Sequence, residues 1–361
     1  MLSVGSVYQR KSDGLWVASL QVDGRRRTIY GKTEAEAKRK LADLRQKAAI
    51  QGGLPANATL KQVLDRWIEA DSAKWKPLTL RDYRYFCDDI IGPALGNVRL
   101  AKLTPDRLQA FYNGLARKST EKAAHCHRIL RRGLHVATMW GYLPSNPLDR
   151  VIPPTHKPKP ATLWTAEQAR AFLDAARDHW LGPCFEAALH TGCRPGELLA
   201  LRWPDWQGDA LRIERTLQRV EGKWLEVEPK TRSGKRTLAV SPALAAALKR
   251  QKAQQAEWRL RAGARWEVSE RIFTTKTGGP ISGSSFDHAL HRLADKAGLP
   301  RIGPHKLRHL SASLALQNGV PLPLVSKRLG HSSVAITAAV YSHAITGDEQ
   351  AAEALARALG G

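Results

Sequence analysis

Along residues 16–22, Trp16, Ala18, Leu20 and Val22 fall on one side of the chain, and Val17, Ser19 and Gln21 on the other. This is the two-residue period of a half-buried strand. The stretches GSVYQR before it and RRRTIYGKT after it predict two partner strands. Asp13-Gly14 and Asp23-Gly24 mark hairpin turns, because both pairs tolerate positive φ. Thr33, with Glu36 three residues on, predicts a capped helix through AEAKRKLADLRQKAA. Residues 1–50 therefore form a small module, a three-stranded sheet on one helix, followed by the Gly- and Pro-containing linker QGGLPANAT.

From residue 58 to 142 the pattern is helical. Leu60, Val63, Leu64, Trp67 and Ile68 lie on one helical face. A second helix is expected from Thr79-Leu80 through RDYRYFCDDII, broken by Gly92-Pro93 and Gly96. Thr104-Pro105 opens a third, and a fourth covers about 119–140. Residues 143–160 carry six prolines with 142–160 read as one stretch, and predict an extended basic linker. Residues 161–361 are long enough for a second large domain. Three strand-like segments (ALRIERTLQRV, KWLEVEPK and KRTLAVS) sit there among helices expected at 183–190, 195–202, 242–262, 284–297, 305–317, 321–329 and 332–343. The expected class is multidomain and mainly α with small β-sheets.

Charge changes the picture. The 361 residues include 57 Lys and Arg against 33 Asp and Glu, a formal charge of +24. Such an excess points to a polyanion, and nucleic acid is the usual one. Arg25, Arg26 and Arg27 at a hairpin mouth are either a solvated basic edge or a DNA-contacting one, and Lys157 and Lys159 are placed to follow a phosphate backbone. No stretch approaches the ~20 apolar residues of a membrane span, and the first residues lack the apolar core of a secretion signal. Cytoplasmic, nucleoid-associated localisation is the expectation. Cys87, Cys126, Cys184 and Cys193 form no close pair and read as free thiols, while His125, Cys126 and His127 point in different directions from a helix and make a poor metal cup.

Four stretches in the second half carry chemistry: HTGCRPGELLALRW, EPKTRSGKRTLAV, GPHKLRHLSASLALQNGV and LGHSSVAITAAVYSH. Singly, each has an ordinary explanation. Arg194 to Glu197 suits a helix start, His305, Arg308 and His309 share one helix face, His331 suits a cap, and Tyr341 suits a core. Together they resemble the tyrosine recombinase, or phage integrase, family. That family has an arginine in a TGxRxxE box, a lysine on a β-hairpin, an HxxR box, an LGH box, and a tyrosine about ten residues beyond. This chain has Thr191-Gly192-Cys193-Arg194 with Glu197, Lys230, His305 with Arg308, Leu329-Gly330-His331, and Tyr341 in the same order. Leu310 departs from the threonine of many relatives.

The resemblance implies an arm-type DNA-binding domain at 1–50, a helical core-binding domain at 58–142, and a mixed α+β catalytic domain at 161–361. It implies attack by Tyr341 on a DNA phosphodiester to give a 3′-phosphotyrosyl link, with no metal or other cofactor. Arg194 and Arg308 would hold the charged phosphate, and His331 would hydrogen-bond a phosphate oxygen. Lys230 would protonate the leaving 5′-oxygen, with Lys235 as its local rival, and His305 would assist proton transfer at the tyrosine. Glu197 would anchor these groups. Implied partners are duplex DNA at core and arm-type sites, further copies of the chain as a tetramer on synapsed DNA, and a host DNA-bending protein and an excision factor. A type IB topoisomerase, or a non-enzymatic DNA-binding protein of the same fold, are the alternatives left open by the residues.

Overall fold

A computed structural model describes residues 6–10, 12–22, 25–41, 57–157, 163–229, 232–341, 356 and 359. The chain divides into two compact units, Met1–Pro158 and Lys159–Gly361. Among the described residues no helix is long and apolar enough to cross a membrane.

In the first unit, β1 (Ser6–Gln9), β2 (Trp16–Val22) and β3 (Arg25–Gly31) form an antiparallel sheet in that order. A helix, α1 (34–41), follows. Thr33 Oγ1 accepts from the Glu36 amide, and the Glu36 carboxylate accepts from the Lys32 amide, one residue before the expected partner. Ala18, Ala37 and Leu41 are buried between sheet and helix. Val17 and Ser19 are buried too, at 3% and 6% exposure, so β2 does not alternate as its sequence suggests. Register explains Val17: it pairs with Tyr8 on one side and Tyr30 on the other, and the two rings shelter it.

The helical part of this unit contains α2 (Leu60–Asp71), α3 (Pro77–Tyr85), α4 (Pro105–Ala116) and α5 (Thr120–Met139). The predicted α2 stripe is the buried face, and Thr59 with Gln62 closes a full capping box. Gly133 of α5 lets the two helices meet, since a Cβ there would lie 2.6 Å from the Leu64 side chain and 3.1 Å from Trp67.

Two expectations need correction here. The second helix starts at Pro77, not Thr79, and Gly92-Pro93 does not break it; the chain continues as a π-helix over Phe86–Gly96 with Pro93 inside. The wider turns accommodate a residue without an N–H, and Gly92 is needed because a Cβ would lie 2.9 Å from the Cys87 carbonyl. The proline-rich stretch is also not extended at its start. Pro147–Arg150 makes a 3₁₀ turn, Leu148 and Val151 join the helical core, and the Ile152 amide donates to Gln109 at 3.0 Å.

The second unit packs α6 (Ala166–Ala176), α7 (Gly182–Thr191), α8 (Pro195–Leu199), α9 (Pro242–Ala262), α10 (Gly283–Lys296), α11 (Pro304–Gln317), α12 (Leu322–Leu329) and α13 (Val334–Tyr341). Four strands, not three, make two antiparallel pairs: β4 (Ala210–Ile213) with β7 (Arg236–Ala239), and β5 (Thr216–Val220) with β6 (Lys223–Val227). The segment ALRIERTLQRV splits at Glu214-Arg215, where Arg215 turns to pair with buried Asp205 at 2.6 Å. Phe185 of α7 sits at the core centre between Phe172 and Phe286.

Candidate functional site

α7 ends at Gly192, whose φ of +61° closes the helix in the left-handed region. A Cβ there would lie 3.0 Å from Leu329 and 3.2 Å from Ser311, so the turn lies directly against α11 and α12. The reversal frees the Gly192 carbonyl, which accepts from Arg308 Nη1 at 2.9 Å. Arg194 then caps α8, its amide donating to Glu197 at 3.1 Å and its Nη1 to the same carboxylate at 2.7 Å.

Glu197 is 1% exposed and bound from the other side by Arg236 Nη2 at 2.9 Å. Burial opposes its ionisation, but Arg236 and Arg194 outweigh burial and lower its pKa. It remains a carboxylate that anchors two guanidiniums. Arg236 was not singled out by the sequence. It reaches four groups from different segments: Glu197, Cys193 Sγ at 3.6 Å, the Arg328 carbonyl at 2.7 Å and the Gly234 carbonyl at 3.0 Å. Gly330, with φ of +71°, seals the same junction, since a Cβ would lie 2.7 Å from the Ser233 carbonyl. The segment that carries Ser233 to Arg236 is not the expected hairpin, because β6 and β7 belong to different strand pairs; this connection, the arginine box and the LGH turn are thereby tied together.

Arg308 is 5% exposed, and its buried Nη2 has no hydrogen-bond partner among the described residues. Burial first, then Arg194, push its pKa down to about 10, which still leaves it charged at neutral pH. A buried charge with a free donor beside a second arginine is a seat for an anion. His331 Nδ1 lies 2.7 Å from the Thr337 hydroxyl. Burial and then Arg308 and Arg194 push its pKa down to about 4, so it is neutral at pH 7. When Thr337 donates, the ring proton is on Nε2, which is then a donor. His305 reaches the surface, and burial of its inner atoms with Arg308 and Arg194 lowers its pKa.

Tyr341 is 1% exposed at the end of α13, and burial raises its pKa. Its hydroxyl lies 2.9 Å from His309 Nδ1. The family resemblance implies proton transfer at this oxygen for His305; the hydrogen-bond partner of the hydroxyl here is His309, one position past the HxxR box. On α11 the spacing i, i+3, i+4 puts His305, Arg308 and His309 on one face, which was the available signal.

Lys230 and Lys159 lie outside the described residues. Lys235 is exposed and paired with Glu228 at 2.7 Å. Lys157 is exposed. The backbone of Arg25 lies in β3, Arg27 is exposed, and Arg26 donates to Ser19 Oγ at 3.2 Å. Register puts Arg26 opposite Gln21, on the same sheet face as Tyr8 and Tyr30, and Arg27 on the other.

The second unit is thus an α+β domain built around clustered arginines, histidines and one buried tyrosine. Residues 163–347 match the model of the phage integrase family, and residues 59–116 match that of the phage integrase N-terminal SAM-like domain. A protein described as tyrosine recombinase XerC-like, from Caldanaerobacter subterraneus subsp. tengcongensis, is 30% identical over 89% of this chain and 88% of its own length. An integrase of Streptomyces ambofaciens is 29% identical over 86% of this chain and 83% of its own. The fold matches the Tn1549 transposon integrase in complex with transposon right end DNA, with a TM-score of 0.69 at 20% identity, over 84% of this chain and 100% of that one. It also matches a lambda integrase tetramer bound to a Holliday junction, with a TM-score of 0.63 at 20% identity, over 95% and 96% of the two chains. The chain belongs to the phage integrase family. It is a site-specific tyrosine recombinase, an enzyme that acts on DNA.

Proposed function

We propose that this recombinase cuts and rejoins duplex DNA through a 3′-phosphotyrosyl intermediate on Tyr341, integrating or excising a phage or other mobile element. The observation that carries this reading is the buried Nη2 of Arg308, unpartnered among the described residues, on the helix that also holds the Tyr341 hydroxyl. Arg194 and Arg308 take the non-bridging oxygens of the phosphate, and His331 adds a donor to them. Glu197 sets the angle of Arg194. As Tyr341 Oη bonds to phosphorus, the bond to the 5′-oxygen breaks, and Lys230 supplies the proton that oxygen needs. The link keeps the phosphoester bond energy, so rejoining is the same step run backwards by an incoming 5′-hydroxyl.

Four copies on two synapsed duplexes would exchange strands, as a tetramer bound to a Holliday junction is described for lambda integrase. Residues 1–50 would hold a second, arm-type DNA sequence, and a host bending protein and an excision factor would set direction. The enzyme would work on the nucleoid, in the cytoplasm. The test is incubation with a nicked duplex carrying the crossover sequence mapped at the element's own junctions. A protease-sensitive adduct on the 3′ side and a free 5′-hydroxyl are expected; an adduct on the 5′ end, or none, refutes the reading.

The charge of +24 predicts steep salt dependence of binding. Replacing Lys157 and Lys159 with Gln should weaken all DNA sequences alike and flatten the log–log salt slope by about 1 per lost phosphate contact. Filter binding from low to moderate salt checks it; an unchanged slope removes 143–160 from the DNA interface.

A further inference from the structure

We propose that His309 is the general base for Tyr341, taking the phenolic proton on Nδ1 as Oη bonds to phosphorus and returning it when the strand is rejoined. This rests on Tyr341 being the nucleophile. The geometry is direct: Oη and Nδ1 are 2.9 Å apart, within the reach that proton transfer needs. His331 Nδ1 faces Thr337, and His305 sits a full helical turn before His309, at the surface. Arg308 is the residue before His309, so a phosphate drawn to Arg308 arrives at the turn of α11 that already holds the phenol.

The charges around His309 keep it ready to accept. Lys306, Arg308 and His305 face it from α11, His331 from the turn after α12, and Tyr341 from α13. Burial first, then Lys306 and Arg308, hold its pKa below the usual histidine value. The imidazole is therefore neutral at pH 7. Burial meanwhile raises the phenol, so the proton does not leave in the resting enzyme. It moves only as the new bond to phosphorus draws charge from the oxygen. The proton balance closes: one proton passes from Tyr341 to His309, and one from Lys230 to the 5′-oxygen.

The experiment measures single-turnover adduct formation on the nicked junction duplex, from pH 5 to 9, for the parent enzyme, His309→Gln and His309→Ala. Glutamine can hold the hydroxyl but cannot take a proton. A loss of 10²–10⁴-fold with DNA binding retained is expected. The parent rate should fall as pH drops through the His309 titration, followed by NMR of labelled histidine, and His309→Gln should lack this limb. Imidazole should restore adduct formation by His309→Ala in proportion to its neutral fraction. The His309→Gln deficit should persist on a substrate with sulfur at the bridging 5′ position, because the leaving group is not what His309 serves. An adduct rate in His309→Gln within threefold of the parent, or faster, would make the contact a resting one only and overturn the proposal. So would a parent acid limb that does not follow the His309 titration, a measurement that needs no variant. An adduct formed by Tyr341→Phe would instead overturn the nucleophile assignment, a failure distinct from one confined to His309.

Discussion

Junction DNA will be bound but never covalently captured by the Tyr341→Phe enzyme, whereas Lys230→Ala will capture it slowly. The phenylalanine removes one oxygen from a residue that is otherwise packed, so the fold and the phosphate seat around Arg308 stay intact. Lys230→Ala keeps the nucleophile and loses the donor to the 5′-oxygen. That loss is worth about 10²–10⁴-fold in rate, roughly 3–5 kcal/mol of barrier. A bridging 5′-sulfur leaves without protonation, so it should largely restore the Lys230 variant and do nothing for the Tyr341 variant. Gel separation of adduct from free DNA reads both. Equal defects of Lys230→Ala on oxygen and sulfur substrates would remove it as general acid. Sulfur rescue of Lys235→Ala would move the role five residues along the chain between β6 and β7, even though Lys235 is paired with Glu228.

The second large effect is expected at Arg236. Its side chain is 6% exposed and that of Glu197 is 1% exposed, so truncation to Ala strips a buried carboxylate of one of its two guanidiniums. Breaking a buried pair from one side costs about 3–5 kcal/mol. In a unit of roughly 200 residues this lowers Tm by roughly 10 °C. Arg236→Lys should recover only part, because an ammonium does not reproduce a planar fork aimed at several acceptors. Adduct formation should fall as well, because Arg194 shares the same carboxylate. Urea unfolding checks the stability; a midpoint equal to the parent's would mean that Arg194 alone sustains Glu197.

Much of this site was legible in the sequence because its parts are local. The TGCR turn, the HxxR face and the LGH turn are each set within a few residues, and the glycines at 192 and 330 take the positive φ that such turns need. The strands of the first module were legible from the Asp13-Gly14 turn and the alternation of apolar residues, although burial in β2 does not follow that alternation and Asp23-Gly24 lies outside the described residues. Contacts between distant segments were not. Nothing near Arg236 in sequence tells that it meets Glu197 across 39 positions, or that His309 rather than His305 meets Tyr341. The buried Val17 has the same origin, since its shelter comes from rings on the two neighbouring strands. The π-helix was misread because glycine and proline normally stop an α-helix, and a wider turn escapes that rule.

The four cysteines turn this fold into its own reporter. All are buried, Cys87 and Cys126 in the helical core, Cys184 and Cys193 in the second unit, the last next to Arg194. Burial pushes the thiols of Cys87 and Cys126 up to about 12 and raises those of Cys184 and Cys193. Only a thiolate attacks an alkylating reagent, so none of the four reacts until its surroundings open. Their labelling rates, resolved by mass spectrometry in the unmutated chain, are therefore clocks for the opening of each unit. Cys193 times the loosening of the arginine box itself, and comparing it with Cys184 separates an active site that breathes from a domain that unfolds.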